Sequence, residues 1–337
     1  MADLSVKYMG FHLKNPIVVS SSGLTSTLDS VINCVKAGAG AVVLKSIFEE
    51  QIMAETREEI SHYEGAYSEE AQLYIKRMSL EHTIEDYVSL VYDSKKKIDV
   101  PVIASINSAT LKGWTRFAER LEHAGADALE LNLFILPDSS EKTGAEIEKS
   151  YINIFKEVRK LVKIPLAIKL GPFFTNVSNL VTRLSDEGAN AVVLFNRFQT
   201  VSVRENEIEN APLQEGKWLS SPGEAEFTRR WISLIYGNVS CDISSTSGIR
   251  TGKDIVRAIQ AGASVAQIAS VLYLNGVDYI KTLLAEIEAE MVPFGDFALS
   301  ELKGSESIHI NPETEKMGRL QYFKAISVLN KYRHLSK

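Results

Sequence analysis

The chain has 337 residues, 45% of them hydrophobic and 24% charged, an ordinary globular composition. A net charge of −6 with no Lys/Arg-rich stripe argues against a nucleic-acid binder. Two cysteines are too few for a disulfide framework, and no apolar run reaches membrane-spanning length, so a cytoplasmic protein with no membrane partner is expected.

From the N-terminus, Leu4 to Tyr8 and Phe11 to Leu13 flank Met9-Gly10 and read as a small β-hairpin that plugs the bottom of the fold. Pro16 to Val19 reads as a buried strand ending in Ser20-Ser21-Ser22-Gly23, followed by a helix from Leu28 capped by Ser26 or Thr27. Four related units then recur. They start at Ala37-Gly38-Ala39, Ala124-Gly125-Ala126, Gly188-Ala189-Asn190 and Ala261-Gly262-Ala263, and each continues into an apolar run. Each reads as a helix end, a glycine C-cap and a buried strand, and repetition of one supersecondary unit marks an architecture. Pro101 to Ile106, Pro165 to Leu170, Val239 to Ile243 and the first strand bring the strands to eight, with helical stretches between them. The expected fold class is α/β, a (β/α)8 TIM barrel with an N-terminal hairpin and a C-terminal helical extension. A doubly wound open sheet is the alternative, but the early Gly-x-Gly-x-x-Gly turn is missing.

Three stretches interrupt the pattern: 46–80, 197–222 and 301–337. In the last, Leu320, Phe323, Ile326 and Leu329 suggest an amphipathic capping helix. No linker divides the chain, so residues 1–337 are expected to be one domain, with the extension beginning near 301.

Polar residues at the C-terminal ends of barrel strands point to function. Here they are Ser22, Lys45, Asn107, Asn132, Lys169 and Asn196. A lysine closing an apolar strand is costly unless it meets an anion, so Lys45 and Lys169 are read as ligand contacts, with a structural ion pair as the alternative. Each asparagine alone fits a loop hydrogen bond equally well, and three at matching positions suit a ligand rich in amides or carbonyls. Ser245 to Gly252 and Ala269-Ser270 follow the last two strands, where barrels bind phosphate. None of the six histidines has metal-ligand spacing, and no metal is expected.

These residues resemble the dihydroorotate dehydrogenase family of FMN-dependent barrels. The resemblance runs from about Leu4 to Leu302. Its pieces are Asn15-Pro16 with Ser21-Ser22-Gly23, Val43 to Ser46, Leu129 to Leu133, Pro165 to Leu170, Asn196, Thr246 to Ile249 with Thr251-Gly252, and Gly262-Ala263 with Gln267-Ile268. The resemblance implies FMN as cofactor, held by Ser21, Ser22, Gly23, Lys45, Ser46, Asn107, Asn132, Lys169, Asn196, Gly223, Ser247, Gly248, Ala269 and Ser270. Among these, Lys169 would stabilise negative charge near the flavin N1–C2 carbonyl, and the last four would hold the phosphate. Lys45, Asn132 and Asn196 would meet a planar, dihydropyrimidine-like substrate. The flavin accepts the hydride while the protein positions and tunes it. A homodimer and a place in pyrimidine biosynthesis are further expectations of the resemblance.

The chain departs from the family's pattern after strand four. The family has Asn-Leu-Ser-Cys-Pro-Asn, or Ser for the Cys, and that residue removes the substrate proton. Here the loop reads Asn132-Leu133-Phe134-Ile135-Leu136-Pro137-Asp138-Ser139-Ser140, and Ile135 cannot take a proton. A positioned base is worth about two to four powers of ten in rate. Asp138 and Ser139 are the candidate replacements, with Ser140 beside them. Three readings stay open next to dihydroorotate oxidation: a related substrate, a flavin-binding barrel without turnover, and a sugar-phosphate lyase in which Lys45 or Lys169 forms a Schiff base.

Overall fold

A computed structural model describes residues 2–49, 84–137, 140–197 and 218–308, together with positions 320, 323, 324 and 327. The strands are β1 (Val6–Tyr8), β2 (Phe11–Leu13), β3 (Ile17–Val19), β4 (Ala41–Val43), β5 (Ile47–Phe48), β6 (Val102–Asn107), β7 (Ala128–Asn132), β8 (Leu166–Leu170), β9 (Ala191–Leu194), β10 (Asp242–Thr246) and β11 (Val265–Ile268). Eight of them close a parallel barrel in the order β3, β4, β6, β7, β8, β9, β10, β11, with β11 returning to β3. Closure removes every sheet edge, and the strands carry near-continuous buried runs because helices cover the outside.

The repeated units behave as read. Gly38, Gly125, Gly188 and Gly262 all adopt positive φ, between 92° and 123°, where they turn the chain from a helix into the next strand. Thr27, not Ser26, caps the helix Leu28–Lys36 by accepting from the Ser30 N–H. Trp114, Phe117 and Leu121 share one face of the helix Leu111–His123, and all three are buried in the core.

The hairpin β1–β2 seals the floor. Tyr8, Met9 and Leu13 are buried, and the Met9 N–H donates to Asp242 Oδ2 at 2.8 Å. Ser264 Oγ and Lys303 Nζ complete the shell of Asp242 on its other oxygen, at 2.6 and 3.1 Å.

Two expectations are corrected. The strand placed over Val239 to Ile243 is Asp242–Thr246 instead. Its pairing sets it there, with Asp242 opposite Ala191 and Ser244 opposite Val265. Small residues suit that buried position, and Val239, Ser240 and Cys241 stay in the bend before it. In the C-terminal extension the four described positions are helical, but Leu320 and Phe323 are 52% and 61% exposed and do not bury against the barrel.

Candidate functional site

The C-terminal mouth of the barrel holds a cavity open to solvent. Five groups of residues converge on it among the described residues: Ser20 to Ser22 after β3, Phe195 to Arg197 after β9, Trp218 to Ser220, Ser247 to Ile249 after β10, and Ala269-Ser270 with Tyr273 after β11. Lys169 from β8 and Gln267 from β11 form its inner wall.

One end of the cavity is a turn of unusual backbone. Ser247 and Gly248 have φ of 71° and 75° in succession. A Cβ on Gly248 would come within 2.4 Å of Ala225 N and Ser221 O, so only glycine fits against the start of the helix Pro222–Ile235. The Ser247 hydroxyl donates to Phe195 O at 3.1 Å, tying this turn to the loop after β9. The backbone N–H groups of Ser247, Gly248, Ala269 and Ser270 meet no acceptor among the described residues. Concave groups of free amides of this kind are where anions bind.

The other end is a hydrogen-bonded web. Ser46 Oγ lies 2.7 Å from Ser105 Oγ, 3.0 Å from Ser21 Oγ, and accepts from Asn132 Nδ2 at 3.4 Å. Asn132 Oδ1 in turn accepts from Asn196 Nδ2 at 2.7 Å. Asn132 and Ser46 are buried behind the cavity wall, and the web links them to Asn196 and Ser21, which line it.

Beneath the cavity the barrel interior is polar. Lys169 Nζ donates to Ser20 Oγ at 3.3 Å and lies 3.9 Å from Glu130 Oε1. Gln267 closes the ring, accepting from Ser20 Oγ at 3.2 Å and donating to Glu130 Oε2 at 2.8 Å. A mixed ionic and amide layer here contrasts with the branched apolar layers usual in such barrels.

Of the expected site residues, Ser21, Ser22, Lys169, Asn196, Ser247, Gly248, Ala269 and Ser270 share one cavity. Gly23 sits at its edge, where a Cβ would be 2.8 Å from the Tyr273 hydroxyl. Lys45 is half-buried, and among the described residues only its backbone N–H is hydrogen-bonded, to Thr25 O at 3.2 Å. Asn107 ends β6 opposite Phe48 of β5, away from the cavity lining. Gly223 is in the first turn of the helix Pro222–Ile235 with no atom within 4 Å of an added Cβ, so nothing in its surroundings demands glycine. Asp138 and Ser139 lie outside the described residues, and Ser140 is exposed in a turn.

Ile135 does not face the polar cavity. It lines a second, mainly apolar cavity with Phe134, Pro137, Ile147, Glu148, Tyr151 and Phe174. Its N–H donates to the Tyr151 hydroxyl at 3.0 Å, and Tyr151 meets Phe174 edge-on with ring centres 5.2 Å apart. Burial raises the Tyr151 hydroxyl above its ordinary pKa, so it remains a neutral hydrogen-bonding group.

Sequence reasoning missed Glu130, Gln267, Tyr273 and Arg197. Glu130 carries the same signal that singled out the lysines, a charge inside an apolar strand. Arg197 lines the cavity beside Glu224, at 3.4 Å, and directly follows Asn196.

The fold and site define a (β/α)8-barrel protein with a cavity at its C-terminal mouth, walled on one side by a turn of unpaired backbone amides among the described residues. The family model described as dihydroorotate dehydrogenase matches residues 3–291, and the chain belongs to that family. Similar proteins include the dihydroorotate dehydrogenase B (NAD(+)) catalytic subunits of Methanocaldococcus jannaschii, Thermoplasma acidophilum and Pyrococcus abyssi. The first is 27% identical over 84% of this chain and 92% of its own length. The second is 27% identical over 86% and 94%, and the third 26% over 89% and 98%. Among the described residues no helix is long and apolar enough to cross a membrane.

Proposed function

We propose that this chain is an FMN-dependent oxidoreductase that acts on a CH–CH bond of dihydroorotate or a related dihydropyrimidine-like ring. The observation that carries the reading is the convergence of the anion-binding turn at Ser247-Gly248 and the Lys169 ammonium on one cavity. A mononucleotide needs both: free amides for its phosphate and a cation beside its ring.

The residues fit FMN on two further counts. Gly23 and Gly248 are positions where a side chain would collide with Tyr273 or with the helix Pro222–Ile235, so the wall can approach a ligand closely. The start of the helix Ser270–Asn275 adds its N-terminal amides to the same corner. When bound, FMN supplies the chemistry of accepting a hydride from the substrate carbon. Ser247, Gly248, Ala269 and Ser270 would hold the phosphate, and Ser21, Ser22 and Lys169 would line the ring. Asn132 and Asn196, already locked to each other, would present amide groups to the substrate in a fixed orientation. Lys45 is proposed to reach the substrate from the mouth.

Ile135 sets the limit on this reaction. The family's proton acceptor is replaced by a hydrocarbon packed in an apolar cavity, so dihydroorotate turnover is expected well below the family's level, or on a ring whose proton leaves more readily. The test begins with FMN uptake, read as a blue absorbance band in the purified protein. Anaerobic bleaching of that band by dihydroorotate and a dihydropyrimidine panel follows, with NAD+ offered as acceptor because the relatives carry it in their names. A protein that stays colourless with added FMN overturns the reading. Bound FMN that no ring substrate bleaches favours a binding role without turnover.

The proposed working form is a single-domain cytoplasmic protein. Its two cysteines are free thiols, as a reducing compartment keeps them. A homodimer is the proposed assembly, checked by sedimentation.

A further inference from the structure

The ring of side chains beneath the cavity contains one ionisable group that the proposed reaction does not use. Glu130 is 1% exposed, and its Oε1 accepts no hydrogen bond among the described residues. A buried carboxylate oxygen left without a donor is costly, and natural interiors retain few of them. Lys169 is the one ion-pair partner Glu130 has among the described residues, at 3.9 Å with the two side chains 8% and 1% exposed. The register places Lys169 opposite Asn132, two residues along β7 from Glu130. Gln267 fixes Glu130 from the far wall, and Ser20 fixes Lys169. The ammonium has a single hydrogen bond among the described residues, so donors remain for the cavity it lines.

We infer that Glu130 is a positioning residue: by its ion pair it holds the Lys169 side chain in place at the inner wall of the cavity, and so sets the electrostatic field felt by the bound flavin ring. The inference rests on the FMN reading above. Other titratable groups do not replace Glu130 in this role. Tyr8 from the hairpin and Tyr87 from the helix over 84–97 feel its charge, but burial pushes both hydroxyls well above their ordinary value and keeps them neutral. Asp242 also acts on Tyr8, and it is committed to Met9, Ser264 and Lys303 at the barrel floor.

The experiment measures the FMN midpoint potential from pH 6 to 10, with FMN dissociation constants, for wild type, E130Q, K169M and the double variant. With Glu130 neutralised, Lys169 is uncompensated at pH 6 and favours the more negative reduced flavin. The E130Q reduced form should bind at least tenfold tighter relative to the oxidised form, about 30 mV upward for a two-electron couple. That rise should be absent when the double variant is compared with K169M. Glu130→Asp, which keeps the charge, should return the potential toward wild type. If E130Q does not fold, Gln267→Leu frees the carboxylate while keeping it charged, and should also shift the potential.

Potentials that superimpose on wild type, with only a lower melting temperature, overturn the role of Glu130. So does an E130Q shift that persists unchanged in the K169M background, because the charge then acts directly and not through the lysine. A wild type that binds no FMN overturns the flavin reading itself, a different result from either.

Discussion

The Asn196 side-chain amide donates to Asn132 Oδ1 across 2.7 Å, joining the loop after β9 to the end of β7 over the intervening strand. The bond spends Asn132 Oδ1 on the protein, while Asn132 Nδ2 leans on Ser46 Oγ at 3.4 Å. Both amide planes are therefore set before any ligand arrives. Replacing Asn132 by Ala should leave Asn196 without this acceptor and cost about 1 kcal/mol of stability. The effect on substrate should be larger, about tenfold in its dissociation constant. Urea unfolding and substrate titration of the loaded protein measure the two, and equal losses in both would mean that the pair is only structural.

Gly248 and Gly223 separate two reasons for glycine. Gly248→Val adds a Cβ within 2.4 Å of two backbone atoms at a φ of 75°, so unfolding should cost less by about 1–3 kcal/mol and FMN uptake should be lost. Gly223→Ala meets nothing within 4 Å and should change stability by no more than about 0.5 kcal/mol. Thermal melts with and without FMN check both, and loss of FMN in Gly223→Ala with a normal melt would assign that position to the cofactor.

Returning the family's proton acceptor should not by itself return the family's rate. Ile135 faces the apolar cavity and its N–H is held by Tyr151, so Ile135→Cys places the thiol among Phe134, Ile147 and Phe174. We expect less than a tenfold gain in dihydroorotate-dependent flavin bleaching. A gain of a hundredfold or more would show that the loop swings toward the substrate.

The Cys34 thiol is pushed up to about 11 by burial, from 9.0. The folded state keeps this proton at a pH where the unfolded chain releases it. The associated stability is therefore fully present below pH 9 and is lost as pH rises from 9 to 11. At about 1.4 kcal/mol per pKa unit, the loss is at most about 2–3 kcal/mol. The unfolding free energies of wild type and Cys34→Ala, compared at pH 8 and pH 11, should converge by that amount. Cys34 should also resist thiol reagents at pH 8, and rapid labelling of the native protein would contradict its burial.

The barrel was legible because its signals are local. An Ala-Gly-Ala turn followed by apolar residues needs no distant partner to be recognised, and the positive φ at Gly38, Gly125, Gly188 and Gly262 follows from the residue type. The strand over Asp242–Thr246 was misplaced by three residues because three small polar residues gain their buried place only from β9 and β11 on either side. Leu320 and Phe323 show the converse, since an apolar period states that a face exists and not that anything covers it.

By itself the sequence determined the repeat, the eight strands and the residue types standing at their ends, because each depends on chain neighbours within a turn or two. It also determined that the family's proton acceptor is replaced at its usual place, since Ile135 is inert whatever surrounds it. Only the tertiary structure decided which strand-end residues meet. Barrel closure brings Ser20, Glu130, Lys169 and Gln267 into one ring from four strands, and it carries Ile135 into a separate apolar cavity. The reason is geometric: inward-facing groups far apart in sequence become neighbours only when the first and last strands pair, and that pairing carries no local signature.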